Sequence, residues 1–595
     1  MQPSLHRVIS ICVAAAIVWA AGHATGAEPE KDSKIRYRVE ITGLDKDGDL
    51  KKQIEGVSKL VEEKGDPPHS FFVLEDRIKE DRDRIRKFLR SEGYYAGQVT
   101  VEIKETAKPV TVTLNIQRGP AYRLTAYKID WRRPGAPEVP LSKLGLKPDQ
   151  RARGEAVVDA QSALLLYLAD RSYPFARVTN RRVTVDHAAR TMRVEVAVDR
   201  GREIRYGEVR IKGAPGVDHD LVRRRVAWQQ GSAYRTGPLR ETREALFALG
   251  VFSSVRIKPD STRIGPDGRT PMLIELDERK RRSIAISAYY DTSLGPGGEI
   301  EWLHRNLFGG AERLSLRIGG TRSEYGGKLN FQKPDIFGGP QLLLGEARYN
   351  ELETPAYDGR EAVAGVAISR TFAKRLTVKA GPVVDWSSFE IGSRRRNFTL
   401  FGAIASVDYN TADNKLDPLK GYQVIGEVSP YVGSGLTFAR AKLRLNGYWT
   451  PFADKRLTLA GWSRVSAVFG ENRGDLPPNK LLYVGGGNSV RGFGYQRVGP
   501  LNSANNPIGG KSAIELGLEA RFRITKTWGG VVFLEGGNVF RDLSPDFDDP
   551  FRWGAGVGVR YKSPIGLLRL DLATPLNPRT GDSAIQLYIS IGQAF

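Results

Sequence analysis

Outside any regular element, the residue best equipped for strong polar chemistry is Arg491, in the run Gly485-Gly486-Gly487-Asn488-Ser489-Val490-Arg491-Gly492-Phe493-Gly494-Tyr495. A guanidinium offers a rigid fork of donors that engages carboxylates bidentately, which a lysine ammonium cannot do, and the neighbouring glycines permit a tight tip. As an isolated Arg-Gly pair it reads as a solvated loop arginine, so its meaning depends on what the loop is attached to. Catalytic chemistry finds little support. Of six histidines only His304 lies in the C-terminal half, no Gly-x-Ser-x-Gly elbow occurs, and His69, His187 and His219 lack metal-ligand spacing. The one cysteine, Cys12, falls in the apolar run Val8 to Ala21, which follows Arg7 and precedes the small residues Thr25, Gly26 and Ala27. That is the pattern of a secretory signal peptide over residues 1–27, with a mature start near Glu28 and no thiol left for a disulfide or a metal. Neither an enzyme nor a cofactor is expected.

The elements that must carry the loop are strands. From Ser283 onward, stretches of eight to fourteen residues alternate apolar with polar or glycine, the signature of transmembrane β-strands. Sixteen candidates start near Ser283, Gly298, Arg313, Gly327, Gln341, Glu361, Arg375, Asn397, Gly421, Leu436, Arg456, Lys511, Gly530, Arg552, Gly566 and Ala584. An even count fits a closed bacterial barrel. In the last candidate Ile585, Leu587, Ile589 and Ile591 share one face, and Phe595 has their parity. Links from even to odd strands are short, whereas those from odd to even include the longest, Gly470 to Gly510, which places the N-terminal half on the periplasmic side. A soluble two-sheet β-protein would have no reason to keep one face apolar along sixteen strands. A net charge of +22 over 595 residues raises nucleic acid as a partner, but an exported chain meets anionic head groups first, here the lipid and lipopolysaccharide of an outer membrane.

The N-terminal half repeats itself. Three segments share the order strand, helix ending in an aromatic turn, two strands, charged exit. In the first, strand Ile35 to Ile41 and helix Leu74 to Leu89 lead to Ser91-Glu92-Gly93-Tyr94-Tyr95, then strands Val99 to Ile103 and Val110 to Ile116 close at Arg118-Gly119. The second has helix Ala156 to Ala169, the turn Arg171-Ser172-Tyr173-Pro174-Phe175, and strands Arg182 to Val185 and Met192 to Val198 before Arg200-Gly201. The third has strand Tyr206 to Ile211, helix Leu239 to Leu249, and strands Val255 to Lys258 and Met272 to Leu276. The expected boundaries are 1–27, 28–119, 120–202, 203–280 and 281–595. The fold class is then α+β tandem repeats followed by an all-β, 16-stranded transmembrane β-barrel.

The repeats resemble POTRA domains, periplasmic modules that receive unfolded β-chains by adding a strand to a sheet edge. Val490-Arg491-Gly492-Phe493 in a long loop before the fifth-from-last strand resembles the BamA/TamA outer-membrane assembly superfamily. So does Gly556-Val557-Gly558-Val559-Arg560-Tyr561-Lys562-Ser563-Pro564-Ile565-Gly566-Leu567-Leu568-Arg569-Leu570-Asp571, and so does Asp408-Tyr409-Asn410 before Asp417-Pro418-Leu419-Lys420-Gly421. Three repeats plus sixteen strands are most similar to its TamA branch. The resemblance implies a loop folded back into the lumen, its arginine paired with acidic wall residues: Glu535, in Phe533-Leu534-Glu535-Gly536-Gly537, and Glu519 on the preceding strand. The family pattern there is Phe-x-Asp-x-Gly, so Glu535 departs from it by one methylene. It further implies a lateral seam between the first strand (Ser283, Ile284, Ala285, Ile286) and the last (Ile589, Ile591, Phe595), which opens to insert or secrete unfolded outer-membrane clients such as autotransporters. An inner-membrane-anchored, periplasm-spanning TamB-like partner is implied as well. The alternative is a passive or two-partner-secretion-type pore.

Overall fold

The computed structural model describes residues 34–591 except 46, 134–137, 392–393 and 564–565. The expected signal peptide and Phe595 lie outside the described residues, as does the side chain of Ile591. The chain divides into two units, residues up to 204 with 233–235, and residues 205–232 with 236–595.

The first unit holds two repeats. In the first, β1 (Tyr37–Thr42), α1 (Gly48–Val57), α2 (Lys59–Glu62), α3 (Phe71–Ser91), β2 (Gln98–Lys104) and β3 (Val110–Gln117) follow in order, with β3 central in the sheet β1-β3-β2. Helix α3 starts where the Ser70 hydroxyl caps the Val73 amide at 3.4 Å. It buries Leu74, Ile78, Ile85 and Leu89 against Val112, Leu114 and Ile116 of the central strand, the spacing of an amphipathic helix. The short helices α1 and α2 add Leu50, Ile54 and Leu60 to the same buried core. Their junction is also held by Asp81 on α3, which is buried and accepts from the Ser58 hydroxyl at 2.6 Å and the Lys59 amide at 2.8 Å.

The second repeat comprises β4 (Arg123–Trp131), α4 (Gly154–Ala169), β5 (Arg177–Asp186) and β6 (Thr191–Asp199), in sheet order β4-β6-β5. Its first helix is reduced to a 3-10 turn at Leu141–Leu144, so the β-α-α-β-β order is incomplete here.

The second unit holds the third repeat and the barrel. The repeat comprises β7 (Arg205–Gly213), α5 (His219–Arg224), α6 (Thr236–Ala248), β8 (Phe252–Pro259) and β9 (Arg269–Glu278), again with the third strand central. Sixteen antiparallel strands then close a barrel in sequence order. They begin with β10 (Arg282–Asp291), β11 (Gly295–Arg305), β12 (Arg313–Gly320), β13 (Glu324–Ile336), β14 (Gln341–Glu353) and β15 (Asp358–Phe372). Next come β16 (Leu376–Ile391), β17 (Arg394–Asn410), β18 (Gly421–Gly433), β19 (Leu436–Trp449) and β20 (Leu457–Gly470). The last five are β21 (Ser512–Arg523), β22 (Trp528–Phe540), β23 (Arg552–Ser563), β24 (Gly566–Pro575) and β25 (Gln586–Ile591).

Closure leaves the outer face apolar, with Ile286, Ile300, Leu518 and Val557 exposed, while charged residues alternate with them on the inner face. At the end away from the third repeat, the links 292–294, 321–323 and 354–357 are short, and only 471–511, 541–551 and 576–585 are long. The length asymmetry expected between the two ends is thus confined to the last three strand pairs.

The link 306–312 ties the barrel to the third repeat. Asn306 Nδ2 donates to the Gly216 carbonyl at 2.5 Å and the Asp218 amide to the Gly309 carbonyl at 2.9 Å, while Arg225 pairs with Asp335 at 2.5 Å. The turn is shaped by Glu312, whose buried carboxylate accepts from the amides of Phe308 and Gly310, both at 3.0 Å, and from Lys333 Nζ at 3.2 Å. Burial alone would push this carboxyl up, but the backbone amides and the Lys333 ammonium outweigh it and hold it below the ordinary carboxylate range. A depressed value stabilises the fold above the ordinary pKa of about 4.3, and that stabilisation is lost as pH falls through the folded value. Hydrogen-exchange protection of the Phe308 and Gly310 amides should therefore fall as pH drops from about 5 to about 3, and in Glu312→Gln it should be low and flat. Identical profiles for the two proteins would refute the assignment.

Candidate functional site: the infolded loop and the barrel seam

The link 471–511 between β20 and β21 enters the barrel. Isolated bridges Leu482↔Gly510 and Val484↔Val498 form its stem, and Val490, Arg491 and Phe493 at its tip are fully buried. Gly492 adopts φ +101°, and a Cβ there would lie 2.8 Å from the Thr574 carbonyl oxygen, so only glycine fits.

Arg491 uses its whole donor fork. Nε donates to Glu535 Oε2 at 3.0 Å and Nη2 to Glu535 Oε1 at 2.6 Å, while the Arg491 amide adds a third bond to Glu535 Oε2 at 2.8 Å. Nη2 also reaches Glu519 Oε1 at 2.6 Å, and Nη1 reaches Asp571 Oδ2 at 2.8 Å. The guanidinium carbon stands 3.4 Å from the centroid of the Phe533 ring, a cation–π contact in a site closed to water. Glu519 also holds Arg521, and Asp571 also holds Arg560 and Arg569. A buried charge is tolerated only where partners saturate it, and here four guanidinium groups surround three carboxylates.

Glu519 and Glu535 were candidate partners from sequence; Asp571 was not. Its signal was its parity on β24, inward with Arg569, whose register partner on β23 is the inward Arg560. Further fastenings also went unread. Lys480 Nζ is buried against Asp385, Asn479 Nδ2 donates to Glu361 at 2.8 Å, and the Ser489 hydroxyl meets Glu515, which Arg464 holds at 3.0 and 3.2 Å.

Close backbone approach makes one wall position critical. A Cβ built on Gly554 of β23 would lie 1.9 Å from the Arg491 carbonyl oxygen. The variant Gly554→Ala must therefore displace the tip, and partial loss of the heat-modifiable gel migration of the folded barrel is expected, of about 1–3 kcal/mol by the range for overpacking. Unchanged unfolding of that variant would mean that the tip does not bear on β23.

Among the described residues, β10 and β25 share only Tyr290↔Ile589 and Asp291↔Tyr588, whereas β24 and β25 share six registered pairs and β16 and β17 sixteen. Thr292 finishes the closed end, its amide and hydroxyl donating to the Leu587 carbonyl at 3.1 and 3.0 Å. On their other side Ser283, Ile284, Ala285 and Ile286 pair with Leu303, Trp302, Glu301 and Ile300 of β11. The register of Tyr290↔Ile589 sets Ile284, Ala285 and Ile286 opposite positions 593–595, which lie outside the described residues, and Ile591 pairs with Leu568 of β24. Ile589, of the expected set, lies in the described part of the ladder. Loop and seam meet at Tyr588, whose hydroxyl accepts from the Gly492 amide at 3.2 Å and donates to the Phe493 carbonyl at 3.3 Å.

Comparison with known proteins agrees with this architecture. Residues 306–595 match the Omp85 superfamily domain, and residues 38–118 match POTRA domain TamA domain 1. The outer membrane protein assembly factor BamA of Neisseria meningitidis is 20% identical over 594 residues, covering 88% of this chain and 73% of that one. The BamA of Neorickettsia risticii is 22% identical over 557 residues, with the same coverages. The crystal structure of BamA from Haemophilus ducreyi lacking POTRA domains 1–3 superimposes with a TM-score of 0.63 at 18% identity, covering 79% of this chain and 100% of that one, and so shares the fold. The barrel lies in an outer membrane, with the N-terminal repeats on its periplasmic side.

Proposed function

We propose that this chain, whose residues 306–595 match the Omp85 superfamily domain, is an outer-membrane assembly or translocation factor that hands unfolded β-barrel clients to the membrane through its β10–β25 seam. The observation that carries this reading is that the barrel closes by direct pairing of its first and last strands, with Tyr290↔Ile589 and Asp291↔Tyr588 in the described part of that ladder. An unpaired strand edge in hydrocarbon costs several kcal/mol per exposed backbone group. Opening this seam therefore exposes an edge of β10 that an incoming strand relieves by β-augmentation.

The three repeats would receive clients in the periplasm, and no nucleotide is required, since strand pairing and burial of apolar surface supply the driving force. The first-repeat match to a TamA-type POTRA domain supports the TamA branch within this reading. Autotransporters are then the client class, and a periplasm-spanning, inner-membrane-anchored TamB-like protein is the partner.

The purified chain in lipid vesicles, offered a urea-unfolded autotransporter barrel, should convert it to a protease-resistant, heat-modifiable form faster than empty vesicles do. A steady, wide conductance with no effect on client folding would instead identify a passive or two-partner-secretion-type pore. The buried tip of the 471–511 loop speaks against that outcome.

A further inference from the structure

Several cations on the inner wall have a carboxylate beside them: Arg464 with Glu515 at 3.0 Å, Arg348 with Glu361 at 3.3 Å, Lys328 with Glu346 at 3.0 Å. Strand β19 is different. Arg440, Lys442 and Arg444 follow one another on its inward parity, while Leu443 and Leu445 point outward. Among the described residues Arg440 and Lys442 make no hydrogen bond or ion pair, and Arg444 makes one bond, from Nε to Asn446 Oδ1 at 3.1 Å. The Nε atoms of Arg440 and Arg464 are buried with no acceptor. Glu427 stands at the register position opposite Lys442, and Glu515, which lines the same cavity as Lys442, is already held by Arg464, so among the described residues the strands flanking β19 offer its three cations one acid that is not otherwise paired. Arg440 and Lys442 border an internal cavity of about 550 Å³ beneath the loop segment Gly485–Ser489.

We propose that this row is a luminal binding track for an extended acidic polypeptide segment; it deepens the client-handling reading and rests on it. Alternate residues of a strand recur about every 6.8 Å, and an extended chain bearing Asp or Glu at alternate positions repeats its charges at the same interval. Three evenly spaced cations repel one another, and a ladder of carboxylates relieves them together. A lipid head group offers no such repeat. The closed ladders β10 through β18 on one side and β20 through β25 on the other also separate this wall from the seam.

The test uses the whole protein in phosphatidylcholine nanodiscs and a fluorescent peptide alternating Thr and Glu, with the Gln-for-Glu peptide as control. Fluorescence anisotropy should show the Glu peptide binding at least about tenfold tighter, with the preference shrinking as salt rises. The triple variant Arg440→Gln, Lys442→Gln, Arg444→Gln should bind the two peptides alike. The single variant Lys442→Glu, which leaves the loop anchors intact, should weaken the Glu peptide alone and guards against misfolding of the triple. Equal binding of the two peptides to the native protein, or an unchanged preference in the triple variant, overturns the proposal. So does displacement of the peptide by inorganic phosphate or lysophosphatidylglycerol at concentrations where chloride has no effect, because the ligand is then a phosphate. Loss of the Glu preference with vesicle assembly of clients intact removes only the track; failure of client assembly with the preference intact removes the client reading and leaves the acidic-peptide site standing.

Discussion

Arg491→Ala should unfold at markedly lower urea than the native chain, by about 3–5 kcal/mol, the usual cost of stripping one partner from a buried ion cluster. The guanidinium is fully buried and touches Glu519, Glu535 and Asp571 at once, so its removal leaves carboxylates in a site that water does not reach. The three acids will not suffer equally. Asp571 keeps Arg560 and Arg569, and Glu519 keeps Arg521, but the bonds that satisfy Glu535 all come from Arg491 itself. Adding Glu535→Gln to Arg491→Ala should therefore recover much of the loss, whereas adding Glu519→Gln should recover little. Arg491→Lys should fall between native and alanine, because an ammonium is a point charge that cannot reproduce three forked contacts. Urea midpoints read from gel mobility decide the ranking, and a native midpoint for Arg491→Ala would show that the loop is not anchored there. A released tip should also raise ion conductance, since Val490 and Phe493 would leave the lumen with it.

Locking the seam should abolish client assembly while leaving the barrel folded. Cysteines replacing Tyr290 and Ile589 sit opposite one another in the register and point outward. The sole native cysteine, Cys12, lies in the segment expected to be removed, so the pair has no competitor. Oxidised, the Tyr290→Cys, Ile589→Cys protein should not assemble clients; reduced, it should recover. A matching pair at Val428 and Ala441, facing each other across β18 and β19, tests whether any disulfide in the wall is harmful and should be silent. If the oxidised seam variant assembles clients at the native rate, the lateral route is wrong whatever the status of the loop.

The sequence by itself determined the sixteen strands and their order, because alternation with period two and the glycines, prolines and asparagines of the turns are local properties. Strand starts fall at Arg313, Gln341, Gly421, Leu436, Arg552 and Gly566 as the pattern predicts, and most of the others lie within about three residues, the scatter normal for element boundaries. It also singled out Arg491 with Glu519 and Glu535. Where local signals were weak it fell short: the short helices α1 and α2 bury Leu50, Ile54 and Leu60, too few for a clear periodicity, and the buried Asp81 fastens the junction between them. Only the tertiary structure decided which groups close on the guanidinium. The partners of Arg491 lie 28, 44 and 80 residues away, and their meeting depends on the tilt and stagger with which sixteen strands close. Period-two alternation assigns a side chain to the inner or outer face but says nothing of its height on the wall. The meeting of Asp571 and Tyr588 with the loop tip is a consequence of that height.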